Sequence, residues 1–255
     1  MGKRTGDLII IENTHLSPEF FILELSENSN LADFRPGQFV QVKVDGSQET
    51  FLRRPISIYD VDFEKNTFKL FFQIAGKGTS VLSKLKAGDS LNLIYPLGTS
   101  FTIPEKNEKV LLIGGGVGIA PLLFLGKCMN KKGNIPDILL GFRNSERIVE
   151  TDKFRAVGKV FITTENGSEG EKGFVTNHSI LSHTNYDKIF CCGPEPMMKA
   201  VASYCQKNSI FCEVSLENMM ACGFGVCLCC VADTVRGNLC SCTDGPVFNL
   251  NDLRW

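Results

Sequence analysis

The stretch VLLIGGGVGIAPLLFLG, Val110 to Gly126, runs 17 residues without a charge. A membrane-spanning helix needs about 20 apolar residues. Here the glycine cluster and Pro121 divide the run into an apolar strand, a turn and the start of a helix, so no membrane span is expected. A continuous apolar run such as KVLLIGGG is what a parallel strand covered on both faces requires. The pattern then repeats downstream. APLLFLGKCMNKKG reads as a helix, and DILLGFR, KVFITTENG and KIFCCGPEP read as strands that end in turns. PMMKAVASYCQKN reads as a helix with proline at its start, where the missing N–H does no harm. Strand and helix in alternation predict a doubly wound parallel sheet over residues 103–212.

Upstream the period changes to two. In FVQVKV, Val40, Val42 and Val44 share one face, and Gln41 and Lys43 the other. In TFKLFFQI, Phe68, Leu70, Phe72 and Ile74 alternate with Thr67, Lys69, Phe71 and Gln73; Leu91, Leu93 and Tyr95 repeat the pattern. With turn signals such as RPGQ, AGKG and KAGDS between them, these are short antiparallel strands of a barrel or sandwich over residues 1–102. A third, cysteine-rich segment occupies 213–255.

The 255 residues are 43% hydrophobic and 22% charged, enough to bury a core. The net charge of −1 gives no basic excess, so no nucleic-acid partner is expected. The N-terminal MGKRTGDLII is too polar for a secretory signal and lacks the hydroxyl residue of a myristoylation site. Six of the 11 cysteines fall from Cys222 onward. That clustering, with an odd total, fits a local metal or cluster site in a reducing compartment better than a disulfide framework.

Four motifs carry chemistry. GGGVGIAP joins a strand to a helix, and Gly114, Gly116 and Gly118 would let a pyrophosphate approach the helix N-terminus. A tight connection with no ligand is the plainer alternative. In RRPISI, Arg54 offers a fork of donors to a phosphate and Ser57 a hydroxyl to a cofactor ring; composition alone favours an exposed arginine pair. Cys192 and Gly193 close a parallel strand at its carboxyl end, where open α/β sheets bind ligands. Cys191, Cys128, Cys205 and Cys212 read as core. Cys222, Cys227 and Cys230 are spaced C-x₄-C-x₂-C, with Cys242 as a distant fourth, the plant-type [2Fe–2S] pattern. Zinc usually takes two C-x₂-C knuckles, and only Cys227/Cys230 forms one. Cys229 would have to point away, and Cys240 competes with Cys242. His15, His178 and His183 show no ligand spacing.

LRRPISI, GKGTSVLSKL, LIGGGVGIAPLLFL, CGPEPMM and CGFGVCLCC…CTDGPVF occur in this order. In this the chain resembles the ferredoxin reductase-like flavoproteins and, among them, the electron-transfer subunits of class B dihydroorotate dehydrogenases. The likeness runs over nearly the whole chain, and the cysteine loop with CTDGPVF is its most specific part. It implies an FAD-binding barrel (1–102), an NAD-binding α/β domain (103–212) and a [2Fe–2S] domain (213–255). By resemblance Arg54, Pro55, Ile56 and Ser57 hold FAD, Phe71, Phe72 and Gln73 contact it, and Gly78 and Thr79 support its phosphates. GGGVGIAP matches the G-x-G-x-x-P turn of these reductases. Cys222, Cys227, Cys230 and Cys242 carry over as cluster ligands, Cys242 because the fourth ligand stands just before the run from Thr243 to Phe248. NADP-using relatives place a basic residue after the strand FITTENG. Glu165 stands there, which favours NADH, since a carboxylate repels a 2′-phosphate and suits a ribose hydroxyl.

The implied activity is electron transfer between NAD(H) and the FMN of a partner dihydroorotate dehydrogenase catalytic subunit, in a cytoplasmic two-plus-two heterotetramer serving pyrimidine (UMP) biosynthesis. The expected order is NADH, FAD, cluster, FMN. The nearest alternative is an FAD/[2Fe–2S] subunit of an NAD(P)H:ferredoxin reductase, transhydrogenase or sulfhydrogenase. From a different class comes a zinc-binding, non-enzymatic adaptor.

Overall fold

Strands β1 (Arg4–His15), β2 (Phe20–Ser26), β3 (Phe39–Val42), β4 (Arg54–Asp62), β5 (Thr67–Gln73) and β6 (Ser90–Leu97) close into an antiparallel barrel in the order β1-β2-β5-β4-β3-β6. The computed structural model describes residues 2–27, 31, 34–46 and 49–255. Side chains alternate across a pleated strand. Val40, Val42, Phe68, Leu70, Phe72, Leu91, Leu93 and Tyr95 therefore all point inward and fill the barrel. A short helix, α1 (Lys77–Leu82), connects β5 to β6.

The continuous apolar runs become β7 (Val110–Gly115), β8 (Asp137–Phe142), β9 (Lys159–Thr164), β11 (Lys188–Cys192) and β12 (Phe211–Ser215), with the two-residue β10 (Glu171–Lys172) at one edge. Their order, β10-β9-β8-β7-β11-β12, is parallel throughout. Helix α2 (Ala120–Lys131) packs on one face, with Leu122, Leu123 and Leu125 in the core shared with the barrel; α3 (Thr151–Arg155) adds Phe154 there. Helices α4 (Ile180–His183) and α5 (Glu195–Lys207) cover the other face. Strand order reverses at β7, so the crevice lies at its carboxyl end, above the glycine turn.

Residues 216–246 form an irregular lobe whose regular structure is the hairpin β13 (Val231–Thr234) and β14 (Gly237–Cys240). The chain returns through β15 (Val247–Asn249), antiparallel to β12 at the sheet edge, so this lobe is tied into the parallel sheet at both ends. The barrel and sheet are locked together by named pairs. Tyr59 donates to Glu150 at 2.5 Å, Lys127 meets Asp60 at 2.6 Å, and Arg147 meets Glu19 at 2.6 Å. Thr102 donates twice, by backbone N–H and hydroxyl, to the buried Glu213. Among the described residues no helix is long and apolar enough to cross a membrane.

Candidate cofactor sites

A cleft of about 700 Å³ opens where barrel, sheet and lobe meet. Its barrel wall is Arg54, Pro55, Ile56 and Ser57 from β4 with Phe71, Phe72 and Gln73 from β5. Seven of the nine residues expected at a flavin thus line one cleft; Gly78 and Thr79 are outside its lining. They do not contribute alike. The Phe71 ring stacks on Phe20 at 5.5 Å, and that of Phe72 on Phe21 at 4.7 Å inside the barrel, so both serve mainly as wall. Of the arginine pair, Arg53 is structural: its Nη1 donates to the carbonyls of Gln41 and Asn92, each at 3.2 Å. Arg54 turns the other way. Its Nη1 is held by the Leu52 carbonyl at 2.8 Å, and its Nε lies over Gly78, 3.3 Å from where a Cβ would stand. Guanidinium and backbone thus meet at one spot, a fit for phosphate oxygens. The Thr79 hydroxyl instead accepts the N–H groups of Ala75 and Gly76, at 2.9 and 3.2 Å, and so shapes the turn.

The sheet contributes Val117 and Ala120 to the cleft, from the 3₁₀ turn Gly116–Ile119 and the start of α2. Two glycines there are required by geometry. Gly116 has φ +56, and a Cβ at Gly118 would stand 2.5 Å from the Cα and N of Gly193. The two loops predicted to hold a dinucleotide therefore pack backbone on backbone, leaving open space above Gly116. Glu165 is exposed at the carboxyl end of β9, with its N–H on the Phe142 carbonyl at 3.1 Å. Cys192 is buried, its Sγ 3.8 Å from Glu217 Oε1, and burial raises its pKa far above the thiol range. Glu217 itself is open to the cleft but walled by protein, and this desolvation raises its carboxyl. Sequence reasoning missed Ser215, Glu217, Met219 and Met220 on the cleft wall. The rule placing ligands at carboxyl ends of parallel strands, applied to β12, points to the first two.

Across that wall lie the cysteines. Cys222 is half-buried, Cys227 exposed, and Cys230 and Cys242 buried. They come in two adjacent pairs, Cys222 beside Cys227 and Cys230 beside Cys242. Among the described residues no three thiols, imidazoles or carboxylates converge as ligands of one ion do. Two irons taking two thiols each ask only for pairs. The Phe224 N–H donates to Cys222 Sγ at 3.3 Å, and the Gly225 N–H to Cys242 Sγ at 3.2 Å. The Phe224 bond is the main cause holding the Cys222 thiol down to about 6, while burial pushes Cys242 up to about 12. Cys240 also adjoins Cys230, but its Sγ faces the Gly225 carbonyl at 4.0 Å and, among the described residues, receives no N–H donor comparable to that of Cys242. Cys229 lies on the flavin side, exposed in the cleft wall.

The iron–sulfur cluster binding domain of dihydroorotate dehydrogenase B matches residues 217–254, an oxidoreductase NAD-binding domain 112–203, and an oxidoreductase FAD-binding domain 7–101. The dihydroorotate dehydrogenase B (NAD+) electron transfer subunit of Shouchella clausii is 35% identical, with 99% of each chain covered. The chain belongs to this family. Its counterpart in Caldanaerobacter subterraneus is 43% identical over 84% of each chain. A solved NADH-dependent reduced ferredoxin-NADP oxidoreductase, studied for flavin-based electron bifurcation, superposes with a TM-score of 0.88 at 30% identity, covering 100% of this chain and 92% of that one. A Neisseria gonorrhoeae ferredoxin NADP+ reductase shares the fold at a TM-score of 0.68 and 18% identity. The architecture is thus that of the dihydroorotate dehydrogenase B family: a flavin barrel, an NAD-binding domain and an iron–sulfur lobe, together an oxidoreductase subunit that implies a catalytic partner.

Proposed function

We propose that this chain carries electrons between the FMN of a dihydroorotate-oxidising catalytic subunit and NAD(H), by way of FAD and a [2Fe–2S] cluster. The observation that carries it is the shared cleft. Barrel residues Arg54 to Ser57, the glycine turn's Val117 and Ala120, and the lobe's Cys229 and Met220 line one space, and Met220 packs in turn on Cys230, Cys240 and Cys242. When bound, FAD exchanges hydride with the nicotinamide and single electrons with the cluster, which is why it belongs between them. Oxidation of dihydroorotate releases electrons, so net flow runs from partner to NAD+; the expected order starting at NADH is the reverse direction of the same route.

This chain's residues bind and orient. Arg54, with Gly78 and the turn shaped by Thr79, holds flavin phosphates, and Pro55, Ile56, Ser57 and Gln73 border the ring, with Phe71 and Phe72 as backing. Gly114, Gly116 and Gly118 with Cys192 and Gly193 seat the dinucleotide, and Glu165 takes a ribose hydroxyl. Cys222, Cys227, Cys230 and Cys242 hold the cluster. The first two domains divide at 102/103; the expected boundary at 212/213 falls inside β12, so the cysteine lobe starts after Ser215 instead. Flanking the exposed Cys227 in the chain, the apolar side chains of Phe224, Val226 and Leu228 are 41%, 81% and 64% exposed. An exposed apolar loop beside a redox centre suits a partner subunit. We assign the FMN-bearing partner there, in a two-plus-two assembly in the cytoplasm.

The test is the visible spectrum of anaerobically purified protein before and after NADH. Flavin and cluster bands should both fall; an unchanged flavin band overturns the reading. The full-length likeness to the bifurcating oxidoreductase favours a second reading, a ferredoxin-linked reductase subunit. Co-purification separates the two: a partner containing FMN and active on dihydroorotate supports the first, a ferredoxin-reducing partner the second.

A further inference from the structure

Gln41 lies on β3, two residues after Phe39 and on the same outward face. Its relative exposure is 0%, and neither Oε1 nor Nε2 has a hydrogen-bond partner. The other unpaired buried side-chain atoms among the described residues are single amide oxygens, of Asn13, Asn130, Asn134 and Asn144. Among the described residues, only Gln41 has both ends of a buried amide unpaired. A buried amide without a partner is costly, and an apolar residue of the same shape would avoid that cost.

What covers Gln41 is the cysteine lobe. Its neighbour Phe39 packs with Leu97, Met220, Cys230, Cys240 and Cys242, and its cross-strand partner Ile94 lies against that cluster. On the other side runs Gly223, directly after Cys222. A Cβ there would stand 3.0 Å from Gln41 Cγ and 3.5 Å from Nε2. The amide therefore sits between the loop of the first cysteine and the buried pair of the last. N–H donors already aimed at sulfur come from the lobe's own backbone, among them Phe224 on Cys222 and Gly225 on Cys242. Gln41 is a further donor in this neighbourhood, a side chain sent from the barrel, and among the described residues no protein atom takes its proton.

We propose that Gln41 Nε2 donates a hydrogen bond to a sulfur of the bound cluster, raising its reduction potential and fixing the lobe's seat on the barrel. The inference rests on the cluster being held by the four cysteines named above. Donors to cluster sulfurs stabilise the more negative, reduced form.

The test uses the full chain loaded with FAD and cluster. In Gln41→Met, which keeps length but has no donor, the cluster's reduction equilibrium should shift about tenfold toward the oxidised form, 59 mV for a one-electron couple. Gln41→Glu, isosteric but unable to donate when ionised, should shift it at least as far. A wild-type potential in the Met variant overturns the proposal, as it would if the amide merely held a water. A measurement without mutation guards against a variant that folds poorly. In wild-type protein with ¹⁵N only in glutamine side chains, pulsed EPR of the reduced cluster should show a coupled nitrogen, and its absence also overturns the proposal. A wild-type sample with no [2Fe–2S] EPR signal defeats the cluster reading itself, a distinguishable result.

Discussion

The barrel buries Phe21, Leu23, Phe68, Leu70 and Phe72 almost completely, whereas the apolar cluster that seats the cysteine lobe on it holds Phe39, Leu97, Met220 and three cysteines. Each large apolar side chain removed from water contributes about 1.5–3 kcal/mol, so the barrel supports itself. The lobe has a two-stranded ribbon and an irregular loop, and a lone hairpin is marginal in water. Its missing stability is expected to come from ligation, since metal binding to a site absent in the unfolded chain is folding free energy. One chain thus contains a scaffold that precedes its cofactors and a lobe completed by one.

The largest effect that sharpens this contrast is Cys230→Ser. Cys230 is buried and adjoins both Cys240 and Cys242. We expect loss of the cluster bands, protease cutting within 216–246, abolished electron exchange with the partner, and retained flavin that NADH still bleaches. Flavin loss in parallel would break the contrast. Among the two fourth-ligand candidates, Cys242→Ser should behave like Cys230→Ser, and Cys240→Ser should keep the cluster.

Within the scaffold the effects are local. Arg54→Ala removes a charged fork, and hydrogen bonds to charged groups are worth about 1.5–3 kcal/mol, so FAD should bind about ten- to a hundredfold more weakly. Cluster content measured by iron analysis should stay near wild type. Gly118→Ala forces a Cβ onto the Gly193 backbone. Overpacking typically costs about 1–3 kcal/mol, and KM for NADH should rise about tenfold in steady-state dye reduction with FAD retained. Glu165→Ala removes the hydrogen bond proposed to a ribose hydroxyl at an exposed strand end; KM for NADH should rise less than about tenfold, and NADPH should improve. Equal loss with both nucleotides would sink the ribose assignment.

Legibility followed the same divide. Alternation fixed which faces of β3, β5 and β6 point inward because its period is that of the pleat. It also placed Gln41 and Lys43 on the outer face, but a period names a face and not what covers it, and Gln41 is buried under the lobe. Phe71 and Phe72 both border the cleft, but adjacent strand residues point to opposite faces, and their rings enter different cores. The cysteine spacing was legible because chemistry fixes it. Glu217 belongs to no motif and becomes visible only when β12, Cys192 and the cleft are assembled.

The smallest expected effect tests whether buried polar groups in the scaffold are paired within the chain, as Gln41 is not. His178 is buried beside Phe161, its Nδ1 takes the Ile180 N–H at 3.1 Å, and its Nε2 lies 3.5 Å from Glu171. Burial lowers its pKa from the usual 6.5, with the Glu171 charge opposing. The folded chain therefore resists protonation that the unfolded chain accepts near 6.5, so this contribution to stability is complete above that pH and is lost as pH falls through it. Glu171 is held below its usual range by the Ser179 hydroxyl and N–H, so its contribution persists until lower pH. Urea midpoints of loaded protein at pH 7.5 and 5.5 should fall more steeply in wild type than in His178→Gln, by less than about 1 kcal/mol. Identical slopes would mean that the site does not hold histidine neutral. An equally large difference in cluster content between the two would mean that scaffold and lobe are not separable.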